Sequence, residues 1–261
     1  MSIDSLSSDD LSSSGFVDYT GKIINKKYQV LKFLGRGTYS SVWLAYNTDR
    51  KGYYAVKIQV EDYIDHGIEE AELAKRIRKT KSNNLMSLVE SFMVTNEDDY
   101  DQICMVYNIM AGNLNDLLKM KQWRNGLPYK TAISIVHQLL SGIKVLVKEL
   151  NVCHGDIKPE NILIEGVSKE IRELQDKYDK LNLSNLKRRL MKKFKRSRGT
   201  VTSELVLQEA LKKIGIDLPE DDSESDTDDS EEEEETLDEL IQSSDDSGDE
   251  TESDEDEKIS I

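Results

Sequence analysis

The stretch His154-Gly155-Asp156-Ile157-Lys158-Pro159-Glu160-Asn161 sets an acid, a base and an amide close together. Pro159 stops helix propagation and the apolar run Ile162-Leu163-Ile164 follows, so these groups sit on a short loop leading into a strand. A carboxylate such as Asp156 can accept the proton of an attacking hydroxyl. An ammonium such as Lys158 can offset charge on a moving phosphoryl group, and the amide oxygen of Asn161 can ligate Mg²⁺. The chemistry implied is phosphoryl transfer, with Asp156 and Lys158 as catalytic groups and Asn161 as a metal ligand. An ordinary polar loop after a helix does not require this order of side chains.

Such groups need a phosphate donor held above them. Upstream, Leu34-Gly35-Arg36-Gly37-Thr38-Tyr39-Ser40-Ser41-Val42 joins the strand candidates 28–34 and 41–46. Gly35 and Gly37 let backbone N–H groups approach phosphates without an intervening Cβ, and Val42 offers an apolar lid for a base. The candidate nucleotide contacts here are Leu34, Gly35, Arg36, Gly37, Thr38, Tyr39, Ser40, Ser41 and Val42. Glycines in a hairpin commonly make turns and nothing more, and a strand lysine is commonly a solvated charge. Ala55-Val56-Lys57, on a third strand at 53–58, makes the pattern specific: Lys57 would reach the α- and β-phosphates and Ala55 would flank adenine.

The remaining elements position these groups. Residues 67–80 read as a helix through Ile68, Ala71, Leu73, Ala74 and Ile77, and an inward acid on it should pair with Lys57. Glu69 and Glu72 share a face at i, i+3, and Glu72 is the choice, with Glu69 as the alternative. Strand candidates 85–94 and 102–110, joined by a turn at 96–99, complete a five-stranded lobe. Tyr107 stands at the back of the nucleotide pocket, and 108–110 form a hinge that brings Met110 to the adenine. A helix begins near Asn113. Ile133, Val136, Leu139, Leu140, Ile143, Val147 and Leu150 then mark a long amphipathic helix over 129–150 that delivers the chain to Asp156.

Charge is unevenly placed. Residues 220–258 hold 23 Asp and Glu against one Lys, a net −22 against −16 for the whole chain, which leaves the remainder at +6. Cys104 and Cys153 fit no metal or disulfide spacing and read as buried thiols in a reducing compartment. No uninterrupted apolar stretch reaches membrane-span length and the N-terminus is polar, so the protein is expected inside the cell without a membrane partner.

With loop, glycines and lysine in order, residues 28–164 resemble a eukaryotic-type serine/threonine protein kinase, and within that superfamily the SR-protein kinases. The resemblance rests on Leu34 to Gly37, Ser40 to Leu44, Ile103 to Val106, Gly126-Leu127-Pro128 and His154 to Leu163. That family places serine at the third loop-glycine position and lacks the arginine before the catalytic aspartate, as Ser40 and Gly155 do here. The resemblance implies an α+β kinase-like fold, with a five-stranded antiparallel N-lobe carrying one main helix and an incomplete helical C-lobe. It also implies ATP and Mg²⁺ as cofactors, a cytoplasmic or nuclear location and Arg/Ser-rich protein substrates. Loss of the arginine implies a kinase not switched by phosphorylation of its activation loop.

The expected organisation is a disordered arm at 1–20, a kinase domain at 21–167 (N-lobe 28–110, partial C-lobe 111–167), a charged helical spacer at 168–218 and a disordered acidic tail at 219–261. SR-protein kinases carry a long charged insertion soon after the catalytic loop, and 168–261 look like one. Lys187 to Arg198 form a basic block, read as a solvated helix face attracted to the acidic tail in preference to a nuclear-import or nucleic-acid patch. A helix from Ser203, capped by that serine, stops at Gly215. No Asp-Phe-Gly-type triplet follows Asn161, and Asp176 and Asp179 lie in a helical pattern without the glycine turn a metal-holding loop needs. Two readings follow: a serine/threonine kinase completed by a second polypeptide, or a truncated, inactive fold serving as a nucleotide-binding or scaffold module.

Overall fold

Period-two alternation from Tyr28 to Gln59 drives this part of the chain into an antiparallel sheet whose two faces bury different side chains. The computed structural model describes residues 17–37, 39–59, 63–95, 100–123, 125–197 and 200–219. Thr38, the turn at 96–99 and the acidic tail from 220 lie outside the described residues, as do residues 1–16 of the arm. The sheet runs in the order β1 (Ile23–Ile24), β2 (Tyr28–Arg36), β3 (Ser40–Asn47), β4 (Gly52–Gln59), β6 (Asp101–Tyr107), β5 (Leu88–Thr95). The expected lobe has five strands; the sixth is the two-residue β1, which pairs Ile23 with Gln29 and Ile24 with Tyr28.

One face buries Tyr28, Val30, Trp43, Val56, Cys104 and Val106. Tyr19 packs edge-on against Trp43, ring centroids 5.7 Å apart, and its hydroxyl donates to Gln102 Oε1. The packed chain therefore starts ahead of residue 21, the expected domain boundary. Burial pushes the Cys104 thiol up to about 12, which makes it an inert core group. Cys153 is exposed, contrary to the expectation that both thiols are buried.

The opposite face receives helix α1 (Ile64–Thr80) through small residues. Gly67, Ala71 and Ala74, at i, i+4 and i+7, are its buried positions. A Cβ on Gly67 would come within 2.4 Å of Ile103 Cγ2, so only glycine permits this approach. Ala71 and Ala74 pack with Leu88, Ile103 and Met105.

After β6 the chain builds a second, two-stranded sheet. β7 (Met110–Asn113) pairs with β8 (Leu163–Glu165), matching Met110 to Glu165, Gly112 to Ile164 and Asn113 to Leu163. Between them, α2 (Leu114–Lys119) starts on a capping box formed by Asn113 and Asp116. Helix α3 (Tyr129–Lys148) buries Gly142 and Leu146, and a Cβ on Gly142 would lie 2.7 Å from the Asn84 carbonyl oxygen. Its other side leaves Tyr129, Ile133, Val136, Leu140 and Val147 exposed. Among the described residues α3 is the one helix long and apolar enough to cross a membrane by length and composition. Its Gly142 face, however, is packed on the chain's own backbone.

The chain divides into two compact units at Arg172. Helix α4 (Lys169–Asp179) begins in the first and continues into the second, which holds α5 (Leu183–Ser197) and α6 (Ser203–Lys213). Leu186 and Leu190 of α5 pack with Val206 and Ala210 of α6. The cap of α6 is Thr202 rather than the expected Ser203: Thr202 Oγ1 accepts the Leu205 N–H at 3.1 Å, the third amide beyond it. Asp176 and Asp179 both lie on α4, as the helical pattern predicts.

Candidate active site

The register of the large sheet sets the upper half of the site. Gly35 of β2 stands opposite Val42, Val42 opposite Lys57, and Lys57 opposite Met105, so one row crosses four strands. Ala55, two residues before Lys57 and on the same face, stands opposite Tyr107. This face is the one that α1 covers, because Trp43 and Val56, of opposite parity, point into the other core. Lys57 Nζ lies 2.6 Å from both Glu70 Oε1 and Glu70 Oε2. The partner of Lys57 is therefore Glu70, while Glu72 and Glu69 are exposed. The i, i+3 pairing of Glu69 and Glu72 described a real helix face, but the solvent one. The stripe Gly67, Ala71, Ala74 marks the sheet-facing side, and Glu70 flanks it.

Around the glycine turn, the Gly37 N–H donates to the Ser40 carbonyl at 2.8 Å, which closes the loop tip. A Cβ on Gly35 would meet nothing within 4 Å, so the strand beneath the loop is open to an incoming group. Leu34 is half-buried and Arg36 exposed. Ser40 and Ser41 are buried, and the Ser41 hydroxyl accepts the Trp43 Nε1–H at 2.8 Å. Tyr39 at the tip packs on Tyr63, ring centroids 4.1 Å apart, a contact the sequence reading did not foresee. Tyr107 is half-buried, and its hydroxyl is held above its ordinary range by burial and then by the Glu70 charge. Met110 is half-buried at the start of β7.

The lower half hangs on the β7–β8 pair, which ties the expected hinge to the end of the Asp156 loop; the Leu114 N–H adds a bond to the Ile162 carbonyl at 2.8 Å. A single 3₁₀ turn at Pro159–Asn161 carries the amide. Asn161 Nδ2 donates to the Asp156 carbonyl at 2.9 Å and to Asp156 Oδ2 at 2.8 Å, and Lys158 Nζ lies 2.9 Å from the same Oδ2. The three sequence-predicted residues are thus one constellation. The Lys158 hydrogen bond, seconded by Asn161, holds the Asp156 carboxyl below its ordinary value, and Asp156 in turn raises Lys158. Gly155 sits at φ +77°, a left-handed conformation that accounts for glycine before the aspartate. Among the described residues no three His, Cys, Asp or Glu gather as a metal site. Asp156 is the carboxylate that bonds Asn161, and the two together are an incomplete set for Mg²⁺.

A family profile for the protein kinase domain matches residues 28–176. The chain is 31% identical over 155 residues to L205 of Acanthamoeba polyphaga mimivirus, named for serine/threonine-protein kinase activity; the match takes in 58% of this chain and 29% of that protein. It is 32% identical over 153 residues to SRSF protein kinase 3 of Homo sapiens, covering 55% and 26% respectively. With protein kinase dsk1 of Schizosaccharomyces pombe it shares 33% over 147 residues, covering 54% and 27%. The chain thus spans under a third of the length of these curated relatives. A crystal structure of the PF14_0431 kinase domain aligns with TM-score 0.51 and 26% identity, covering 58% of this chain and 43% of that one.

Proposed function

This chain belongs to the protein kinase family, and on that premise we propose that it transfers the γ-phosphoryl group of ATP to serine and threonine hydroxyls of proteins, in the manner of an SR-protein kinase. The observation that carries the proposal is the Lys57–Glu70 pair at 2.6 Å, a cation fixed under the glycine turn. Bound ATP supplies the phosphoryl group. Gly35, Gly37 and the backbone from Leu34 to Val42 hold its phosphates with Lys57, while Ala55 and Met110 flank the base. Asp156 accepts or orients the acceptor hydroxyl's proton and Lys158 offsets charge in transfer. The donor set around Asn161 does not by itself fit Mg²⁺.

Arg/Ser-rich proteins are the proposed substrates and the cytoplasm or nucleus the proposed location, on the likeness to SRSF protein kinase 3. A second reading is favoured by the exposed apolar stripe on α3: a further polypeptide segment packs there and supplies the metal carboxylate and the acceptor platform. Without that segment the chain is a nucleotide-binding module with little transfer activity. The test is an assay of the purified chain on an Arg/Ser-repeat peptide with Mg²⁺-ATP, paired with calorimetric ATP binding, with Asp156→Asn and Lys57→Met as controls. ATP binding lost in Lys57→Met supports the family site. Binding unchanged by that substitution overturns it. Robust turnover abolished by Asp156→Asn overturns the need for a further segment.

A further inference from the structure

Helix α5 carries seven Lys and Arg and no Asp or Glu in 15 residues. Its apolar side, Leu186 and Leu190, is buried against Val206 and Ala210 of α6. The remaining surface exposes Lys187, Arg188, Lys192 and Lys195. Repeats such as Arg188, Lys192 and Lys195 set like charges at i+4 and i+3, where they repel one another along the helix. The acids on α6 are Glu204 and Glu209, and Glu209 stands 3.9 Å from Lys212 of its own helix. This is a helix whose charge calls for a polyanion.

We infer that the exposed basic face of α5 is the docking site of the chain's own acidic segment, residues 220–258. Charge complementarity is the first argument: the segment has 23 acids against one Lys, and α5 exposes Lys187, Arg188, Lys192 and Lys195 and carries no acid. Tethering is the second. A five-residue link between α5 and α6, with apolar packing between them, turns α6 back along α5, so the segment leaves from beside the start of α5. Were its 39 residues a coil, their r.m.s. span would be about 35 Å, against about 22 Å for the helix, so the whole face would be within reach. Short flexible tethers give effective concentrations of about a millimolar, ahead of most free partners. A nucleic acid approaching α5 must displace a tethered charge of the same sign as its own, which is why the segment and not a nucleic acid is the occupant. The contact stands independently of the kinase reading.

The test uses the full chain. Zero-length carbodiimide cross-linking at low salt, read by mass spectrometry, should join Lys187, Lys192 and Lys195 to Asp and Glu of 220–258. The links should vanish near 1 M salt, where the screening length is about 3 Å. In a second measurement, heparin should bind a chain ending at Pro219 roughly tenfold or more tighter than the full chain. Combining that deletion with Lys187→Glu, Lys192→Glu and Lys195→Glu should cancel the gain. Links spread evenly over lysines of residues 17–167 would overturn the inference, as would equal heparin affinity with and without the segment. A single-stranded oligonucleotide that binds α5 while the cross-links persist would also overturn it. Should a variant lose its helices by circular dichroism, the cross-links in the unaltered chain still decide.

Discussion

Lys57 Nζ lies 2.6 Å from each carboxylate oxygen of Glu70, joining β4 to α1 across the face that the glycine turn overhangs. The pair is partly exposed, so its worth to stability is small. Its effect on a phosphate is larger, since it fixes where the ammonium points. Glu70→Ala should weaken ATP binding roughly tenfold, and Lys57→Met at least as much, because a charge-assisted contact is loosened or lost. Glu72→Ala should leave the affinity unchanged. Isothermal calorimetry of the three variants checks this, and equal losses for Glu70→Ala and Glu72→Ala would refute the assignment.

The Asp156 carboxylate, bonded by Lys158 and Asn161, titrates below its ordinary value. A depressed value keeps the group ionised to lower pH than the usual carboxylate near 3.9, so any acid limb of phosphoryl transfer due to Asp156 should fall below that point. Lys158→Ala removes the largest cause and should move the limb upward. Asp156→Asn should abolish transfer while leaving ATP affinity unchanged, since the carboxylate's side-chain bonds are to Lys158 and Asn161 of its own loop. A pH–rate profile with nucleotide affinities measured in parallel checks all three.

The lower site was legible in the sequence because it is local: Asp156, Lys158 and Asn161 are spaced so that one loop and one 3₁₀ turn bring them together. The sheet was legible through alternation and glycine turns, apart from β1, two residues long and too short to show a period. Glu70 was not, because the acid that faces Lys57 is set by how closely α1 approaches β6. That approach depends on Gly67 meeting Ile103, a contact between residues far apart in the chain. The stripe Gly67, Ala71, Ala74 was a readable clue, masked by larger apolar residues at Ile68 and Leu73. Tyr39 against Tyr63 is likewise a tertiary contact without a local signature.

A partly exposed charge network built on the buried Tyr28 supports the far side of the sheet. Tyr28 is fully buried and its hydroxyl donates to Glu90, which Lys27 approaches to 2.9 Å and Arg50 to 3.5 Å. Burial by itself would raise the Glu90 carboxyl, yet the bonds from Tyr28 and Lys27, with the charges of Lys27 and Arg50, outweigh it and hold Glu90 below its ordinary value. Its stabilising contribution is therefore present above that ordinary value and lost as pH falls through the lowered one. Burial, followed by Glu90, raises the Tyr28 hydroxyl, so its share is complete below about pH 10 and lost in more alkaline solution. Tyr28→Phe should cost about 1–2 kcal/mol at neutral pH in urea unfolding and flatten the decline at both ends of the pH range. An unchanged pH dependence would show that the network carries no linkage.

Helix α3 is packed on one side only, and the two sides make opposite predictions. On the packed side, the Cβ of any residue replacing Gly142 would lie 2.7 Å from a backbone oxygen, which cannot swing away as a side chain does. Gly142→Val should therefore destabilise the chain by about 1–3 kcal/mol, seen as a lower melting temperature. On the other side, Ile133, Val136, Leu140 and Val147 are 50%, 49%, 59% and 48% exposed and fall along one stripe at helical spacing. Val136→Glu with Leu140→Glu should leave the melting temperature within a degree or so, since neither side chain is packed. Apolar surface in such a row favours burial against another surface, so the chain alone should bind a hydrophobic dye and self-associate. Net charge opposes association at low salt, because molecules of the same sign repel. Added salt should therefore increase association, by screening the repulsion while leaving the apolar attraction. The double glutamate variant should remove both the dye binding and the salt-driven association. Sedimentation of the two proteins across a salt series decides between them. A chain that stays monomeric at high salt and binds no dye would show that the stripe is covered by this chain itself.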